Sequence, residues 1–571
     1  MKKRILSLAL AFALVFTLAC PALAAQPEHD PIIVVPGYTA TQLFAEPGSD
    51  ERVLVWNPDA NAILGAVVGE LPGLLGGAVV YALTRRSNMI VSAFGRAANG
   101  YLDQFAMNLD GTRKHEVGPW PGTAGDFSLA AIRAKAEDDP NARYLSQLGT
   151  FCRRFEQQVG AENIFIFQYD WRGPTLRSAE KLREFINEVL ALTKSKKVRL
   201  FGSSYGGQVC GAYLHDCAKE KKVSKIVMEF PMLGGSSMVS HLMAGEAFSI
   251  QTEAFTRFVQ SYMNTEMKLE PLLKWITLKR LSPLVTQLLL AGLLPVAKTW
   301  GSIWDLVPAG DYEAVKAAAL GPGERYGWEA DCDRMHGEIM PNWGRTLREA
   351  QEKYGIGIRI VANTGNPHLV GPDEINSDTF LDVQYTTGAK ALPLGQHGIK
   401  QSNEICKTAG HRHVSPGQDI DASAAWLPDH TWFVQGQFHG ASYFDPYALE
   451  LECALMMDPD FNTVFDDPAY PQFGMCRQPS ESIALTFDGE QILIDNLSLE
   501  RDVKILRVSG PELKFARPQD GKIAPGGSVS IKCEENMLLP GAYAPITVTF
   551  LQYTGNVPVP RTKTFDYTEQ P

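Results

Sequence analysis

Between Pro31 and about Asp458, short apolar runs alternate with longer stretches whose apolar residues recur at helical spacing. The runs PIIVVPG, NIFIFQYDW, KVRLFGSS, KIVMEFP, IGIRIVANTG and HTWFVQG are rich in Val, Ile and Phe. Their apolar character is nearly continuous rather than alternating, which marks strands buried on both faces of a mostly parallel sheet. Residues 178–192 read as one of the helices that would cover it. Beyond residue 480 the pattern changes. SIALTF, QILID, VKILRV, GSVSIKC and PITVTFLQY follow one another closely, with Asp488-Gly489 and Gly526-Gly527 as turns. The prediction is an α/β domain over residues 26–458, a linker at 459–479 marked by Pro459, Pro468, Pro471 and Pro479, and a β-sandwich of immunoglobulin-like character over 480–571.

Two insertions, at about 59–100 and 236–330, interrupt the first domain. Residues 62–83 are Gly-rich and carry only Glu70 as a charge, and Leu281 to Ala297 carries none. Pro72 breaks the first and the second is too short, so neither reads as a membrane span, which needs about 20 apolar residues. Buried cap helices or a lipid-facing lid remain as readings.

Residues 1–25 read as a secretory signal: Lys2, Lys3 and Arg4, an apolar run from Ile5 to Leu18, then Ala22-Leu23-Ala24 before the cut. The expected location is secreted or extracytoplasmic. Cys20 would leave with the signal. The other eight of the 9 cysteines are widely spaced without a C-x-x-C pair, which argues against zinc-finger and thioredoxin-like sites. A net charge of -11 with no Lys/Arg-rich run makes nucleic acid an unsuitable partner.

The chemistry centres on Gly202-Ser203-Ser204-Tyr205-Gly206. A G-x-S-x-G pentapeptide is weak evidence in a chain with 50 glycines. Here VRLF precedes it as a strand and Tyr205 to Lys219 can follow as a helix, the setting in which a nucleophilic serine stands on a strained turn. A serine hydroxyl needs a histidine base held by a carboxylate. In an α/β-hydrolase fold the acid and then the histidine come later in the chain, each after a strand. Asp378 follows IRIVANTG and His439 follows HTWFVQG, so Ser204, Asp378 and His439 are the expected triad. Asp382 is the rival acid. His430 stands at the wrong end of its strand, and His397, His411 and His413 read as surface or loop residues. His411-x-His413 could hold a metal, but no third ligand stands out at useful spacing, so neither metal nor organic cofactor is expected. The backbone N–H groups of Tyr205 and Tyr38 would form the oxyanion hole.

These pieces together resemble the lecithin:cholesterol acyltransferase family, which includes lysosomal phospholipases. PIIVVPGYTATQLFAE is similar to its opening strand and oxyanion loop, Tyr169-Asp170-Trp171-Arg172 to its YDWR, Phe230 to Ser236 to its APxGGS, and Ser302 to Pro308 (SIWDLVP) to its cap segment. The resemblance spans about Pro31 to Leu455. NSDTFL stands where the family has GDGTV, which aligns Asp378 with the motif aspartate and leaves Asp382 open. YDWR itself reads as a packing unit under the cap. The resemblance implies lipid acyl transfer through an acyl-serine, to water or an alcohol. A secreted serine hydrolase or O-acyltransferase acting on a lipid or hydrophobic ester is expected, touching a lipid surface transiently through its cap. Leu281 to Ala297 would form that cap helix, with Leu288, Leu289, Leu290, Leu293 and Leu294 as the acyl wall. The alternatives are a non-catalytic surface-binding protein on a hydrolase scaffold and a serine protease or amidase.

Overall fold

The structure is a computed structural model. It describes residues 29–568 apart from 50–51, 57–90, 92–94, 96–97, 100, 140–151, 246–286, 288–289, 322, 370–374, 441–444, 477–482, 497–501, 519–520, 525–526, 540–541 and 555–556. The expected signal segment, the insertion at 62–83, Leu288 and Leu289 therefore lie outside the described residues.

The six apolar runs become strands of one sheet: β1 (Ile32–Val35), β2 (Ile164–Ile166), β3 (Val198–Ser203), β4 (Val223–Glu229), β5 (Gly357–Thr364) and β6 (Thr431–Gln435). A seventh, β7 (Phe473–Met475), completes the order β7-β6-β5-β4-β3-β1-β2, with every neighbouring pair parallel. Side chains that alternate along a strand enter opposite faces, and both faces here are apolar. Ile33, Val35 and Leu200 join one core with Leu182, Ile186 and Val209, whereas Ile32, Val34 and Phe201 join another with Leu451 and Leu455. The covering helices include α1 (Thr175–Thr193), α2 (Tyr205–Cys217) and α3 (Pro446–Met457). This is an α/β-hydrolase-like architecture.

The expected linker at 459–479 needs correction. β7 lies inside it and pairs with β6, Phe433 standing opposite Phe473. Phe461 and Val464 are buried, and Phe461 packs edge-on against Trp432 at 5.4 Å between ring centres. Pro459 and Pro468 mark a bend and a turn, but the aromatic residues around them bury enough apolar surface to order residues 461–475 on the sheet.

In the C-terminal region, β8 (Ile483–Phe487), β9 (Gln491–Asn496), β10 (Val503–Ser509), β11 (Leu513–Phe515), β12 (Ser528–Asn536), β13 (Tyr543–Thr554) and β14 (Val557–Thr568) form two antiparallel sheets, β8-β9-β12-β11 and β10-β13-β14. Ile492, Ile494 and Ile531 of one sheet share a core with Val503, Ile546, Val548 and Phe550 of the other, as in a sandwich. Along β9 exposed and buried positions alternate, as a sheet with one wet face requires. Among the described residues no helix is long and apolar enough to cross a membrane.

Of the expected cap helix Leu281–Ala297, the described part is helical at 290–292, turns at Leu293, and resumes as a short helix at Leu294–Ala297. Pro295 sits in the first turn of the second piece, where a proline is tolerated, and its missing N–H cannot extend the preceding turn. The described part is thus two pieces rather than one helix.

Candidate active site

β1 and β3 are neighbours, with Val35 opposite Gly202. Chain order reverses between them, because β2 lies on one side of β1 and all later strands on the other. Ligands of open α/β sheets bind off the carboxyl ends of strands at such a switch point. Two loops leave the sheet there, Pro36-Gly37-Tyr38 and the turn holding Ser204.

Ser204 has φ 55° and ψ -121°, a backbone conformation a side-chain-bearing residue adopts only under constraint. The constraint is crowding. A Cβ on Gly206 would stand 2.1 Å from the Val35 carbonyl oxygen, and one on Gly202 3.0 Å from both Cys210 Sγ and the Gly206 carbonyl oxygen. The turn is also pinned by the Ser204 N–H donating to the Glu229 carbonyl (2.9 Å) and the Met232 N–H donating to the Ser204 carbonyl (3.1 Å). Serine's hydroxyl is thereby lifted above the end of the sheet.

Ser204 Oγ lies 2.9 Å from His439 Nε2, and His439 Nδ1 lies 2.7 Å from Asp378 Oδ2. Asp378 is buried, and its Oδ1 accepts the N–H groups of Phe380 (3.0 Å) and Leu381 (2.7 Å). The His439 N–H donates to the Asp378 carbonyl (2.7 Å), so backbone and side chain both tie the two loops together. Phe230 and Phe380 flank the imidazole at 4.7 and 5.5 Å between ring centres. The three residues singled out in the sequence are brought together.

The rivals lie elsewhere. Asp382 binds Ser237, accepting from its N–H (3.0 Å) and from its hydroxyl (2.9 Å). It belongs to the brace that holds the acid loop, as does Ser236, whose hydroxyl donates to the Phe380 carbonyl (2.5 Å). The FPMLGGS motif therefore positions the loop that carries Asp378. His430 is engaged with the Asn462 carbonyl and the Gln351 side chain. His397 lies 2.7 Å from the Gly417 carbonyl on the surface. His413, expected at the surface, is fully buried, a correction taken up below.

Among the described residues, no backbone carbonyl takes the N–H of Tyr38 or of Tyr205. The tyrosine rings meet edge to face at 5.4 Å, and the Tyr38 hydroxyl accepts from Ser302 (3.2 Å). Burial pushes the Tyr38 phenol up, so it stays neutral. The YDWR unit is a packing unit, but under the Tyr38 loop: the Tyr169 hydroxyl donates to the Pro36 carbonyl (2.7 Å) and Trp171 Nε1 to the Thr41 carbonyl (3.1 Å). Buried Arg172 forks onto Asp170 through Nε and Nη2, both at 2.8 Å, and donates to the Val117 carbonyl (2.6 Å). Desolvation would raise the Asp170 carboxyl, but Arg172 outweighs it and holds the group below the usual carboxylate range. The bracing of one loop by residues more than a hundred positions away carries no signal in the sequence.

Of the expected acyl wall, Leu293 and Leu294 are half-buried against the main core, and Leu290 is partly exposed.

No curated protein matches the chain in sequence. Among solved structures, the Tle4–Tli4 complex aligns at 14% identity and TM-score 0.33, over 76% of this chain and 98% of that one. Phospholipase PlaB from Legionella pneumophila aligns at 10% and 0.24, over 78% and 87%. Lipase BlEst2 from Bacillus licheniformis, in its propeptide form, aligns at 9% and 0.22, over 76% and 90%. Likeness this distant bears on neither substrate nor mechanism. The family match is shorter than the motifs imply but includes the turn that holds Ser204: over residues 157–307, from ahead of β2 to the end of the SIWDLV stretch, the chain matches the lecithin:cholesterol acyltransferase family.

Proposed function

We propose that the protein is a serine hydrolase or acyltransferase that takes the acyl group of a lipid or other hydrophobic ester. The observation that carries this reading is the unbroken hydrogen-bonded relay from Ser204 through His439 to Asp378 at the switch point of the sheet. Ser204 Oγ attacks the ester carbonyl carbon while its proton passes to His439 Nε2. Asp378 holds the proton of His439 on Nδ1, leaving the Nε2 lone pair for the serine, and steadies the imidazolium that forms. The oxyanion is met by the N–H groups of Tyr38 and Tyr205. Collapse breaks the ester C–O bond, and the leaving alkoxide takes the proton from His439. Water or an alcohol then reverses these steps on the acyl-serine. No step requires a metal.

The lipid character of the substrate is supported by the family match over residues 157–307. A fluorophosphonate probe should label Ser204, and esters should be turned over in preference to peptide or amide substrates. An unlabelled, folded protein would leave the surface-binding alternative. Export is part of the proposal, resting on residues 1–25. The N-terminus of the exported protein should follow Ala24 or Ala25.

The apolar segment Leu281 to Ala297 is proposed as the acyl wall, with Leu289, Leu290, Leu293 and Leu294 along it, and as the surface that meets lipid. A bound acyl chain gains about 0.8 kcal/mol per buried CH₂. Leu290→Asp with Leu294→Asp should therefore cut turnover of long-chain esters by an order of magnitude or more relative to acetate esters. Equal loss on both, in a folded protein, would make the segment ordinary core.

A further inference from the structure

We infer that Cys406, His411, His413 and Asp429 form a tetrahedral site for a transition-metal ion, zinc by the chemistry of its donors. Sequence spacing offers only His411-x-His413, but the fold adds the third and fourth donors. Cys406 Sγ lies 3.5 Å from His411 Nδ1 and 3.8 Å from Asp429 Oδ1. Asp429 Oδ1 lies 3.2 Å from His411 Nδ1 and 3.1 Å from His413 Nε2. One donor atom from each residue falls within 4.8 Å of all the others. A tetrahedral zinc with Zn–S about 2.3 Å and Zn–N or Zn–O about 2.0–2.1 Å has edges of about 3.3–3.6 Å. Four of the six donor pairs stand at 3.1–3.8 Å and the other two within 4.8 Å, so small side-chain movements would bring the donors to those corners.

The tautomer of His413 says what must lie between two of these donors. The side-chain amide nitrogen of Gln472 donates to the Pro428 carbonyl (2.8 Å) and the Thr431 carbonyl (3.0 Å). Its Oε1 must therefore face His413 Nδ1, 2.8 Å away. An amide oxygen only accepts, so Nδ1 carries the proton, and in the neutral ring Nε2 presents a lone pair. Among the described residues that fully buried Nε2 makes no hydrogen bond, and it faces a carboxylate oxygen. Two lone pairs do not approach to 3.1 Å without a cation between them. A metal-ligating histidine whose other nitrogen is fixed by an acceptor is the usual arrangement around zinc. A thiolate and a carboxylate with two neutral imidazoles would also cancel a divalent charge, which suits a site where Cys406 and His413 are buried.

Four protein donors leave no open position, so the ion would be structural rather than catalytic. Its place agrees. Residues 392–419 form a long connection between two short paired strands, Lys390–Ala391 and Ile420–Asp421, and ordered connections of that length are uncommon without a functional reason. Cys406, His411 and His413 belong to this connection, whereas Asp429 stands just before β6, at the end opposite His439. The ion would staple the connection to the base of the strand that delivers His439.

Stripped with a chelator and titrated with Co²⁺, the full-length protein should bind one ion. It should show the d–d bands of tetrahedral cobalt and a thiolate-to-cobalt charge-transfer band. Cys406→Ser should abolish the charge-transfer band, and His411→Ala should weaken binding at least about tenfold. Zinc should restore thermal stability lost on stripping. Two results would overturn the site. Folded wild-type protein that takes up no cobalt would mean a proton, not a metal, lies between His413 and Asp429. A charge-transfer band that survives in Cys406→Ser would place the ion elsewhere.

Discussion

Ser204→Ala is expected to abolish fluorophosphonate labelling and to lower ester turnover by about 10⁴-fold or more. The substitution removes one hydroxyl and keeps the Cβ, so the strained φ of 55° is neither relieved nor worsened and the fold should persist. Asp378→Asn should approach the same loss by a different route. The asparagine oxygen can still accept from Phe380 and Leu381, as Oδ1 now does. Its NH₂ would then face His439 Nδ1, and the histidine would carry its proton on Nε2, where it cannot accept from Ser204. Asp382→Asn should change turnover per labelled site by less than about tenfold, because Asp382 contacts Ser237 rather than His439. Turnover measured per probe-titrated site separates these cases from loss of folded protein. A larger loss in Asp382→Asn than in Asp378→Asn would reassign the acid.

Gly206→Ala should destabilise the whole α/β domain. The new Cβ would meet the carbonyl oxygens of Val35 at 2.1 Å and Pro36 at 2.7 Å. Both are backbone atoms at the end of β1, so relief requires moving the strand that leads to the Tyr38 loop. Overpacking a core with side chains that can yield costs about 1–3 kcal/mol, and this clash with unyielding backbone should exceed that range in urea unfolding. Whatever folded protein remains should turn over poorly, since the same shift displaces the N–H of Tyr38 from Ser204. Gly337→Ala is the control. It is helical, has open space around it, and should be neutral or gain up to about 1 kcal/mol from helix propensity. A Gly206→Ala protein within about 0.5 kcal/mol of wild type would show that the turn is not held by this contact.

The two substitutions test different parts of one arrangement. In the proposed mechanism Ser204 supplies the reacting atom, while Gly206 permits the backbone approach that brings the Ser204 turn and the Tyr38 loop together. YDWR serves that second purpose from below, through the hydrogen bonds of Tyr169 and Trp171 to the Pro36 and Thr41 carbonyls.

What local patterning can encode was legible before any tertiary contact. Doubly buried strands announce themselves as unbroken apolar runs, so β1 to β6 were legible. G-x-S-x-G between a strand and a helix marked Ser204, and chain order after later strands marked Asp378 and His439. Short β7 was missed because three residues inside a proline-rich stretch have too little periodicity, and only pairing with β6 makes them a strand. Which of Asp378 and Asp382 meets His439 could not be read from four residues of separation; a turn sends one carboxylate to His439 and the other to Ser237. Likewise Cys406 and Asp429 join His411 and His413 only because a long connection folds back onto the start of β6. Contacts of this kind depend on where distant segments meet, and that is settled by packing of the whole chain, which no local window of residues contains.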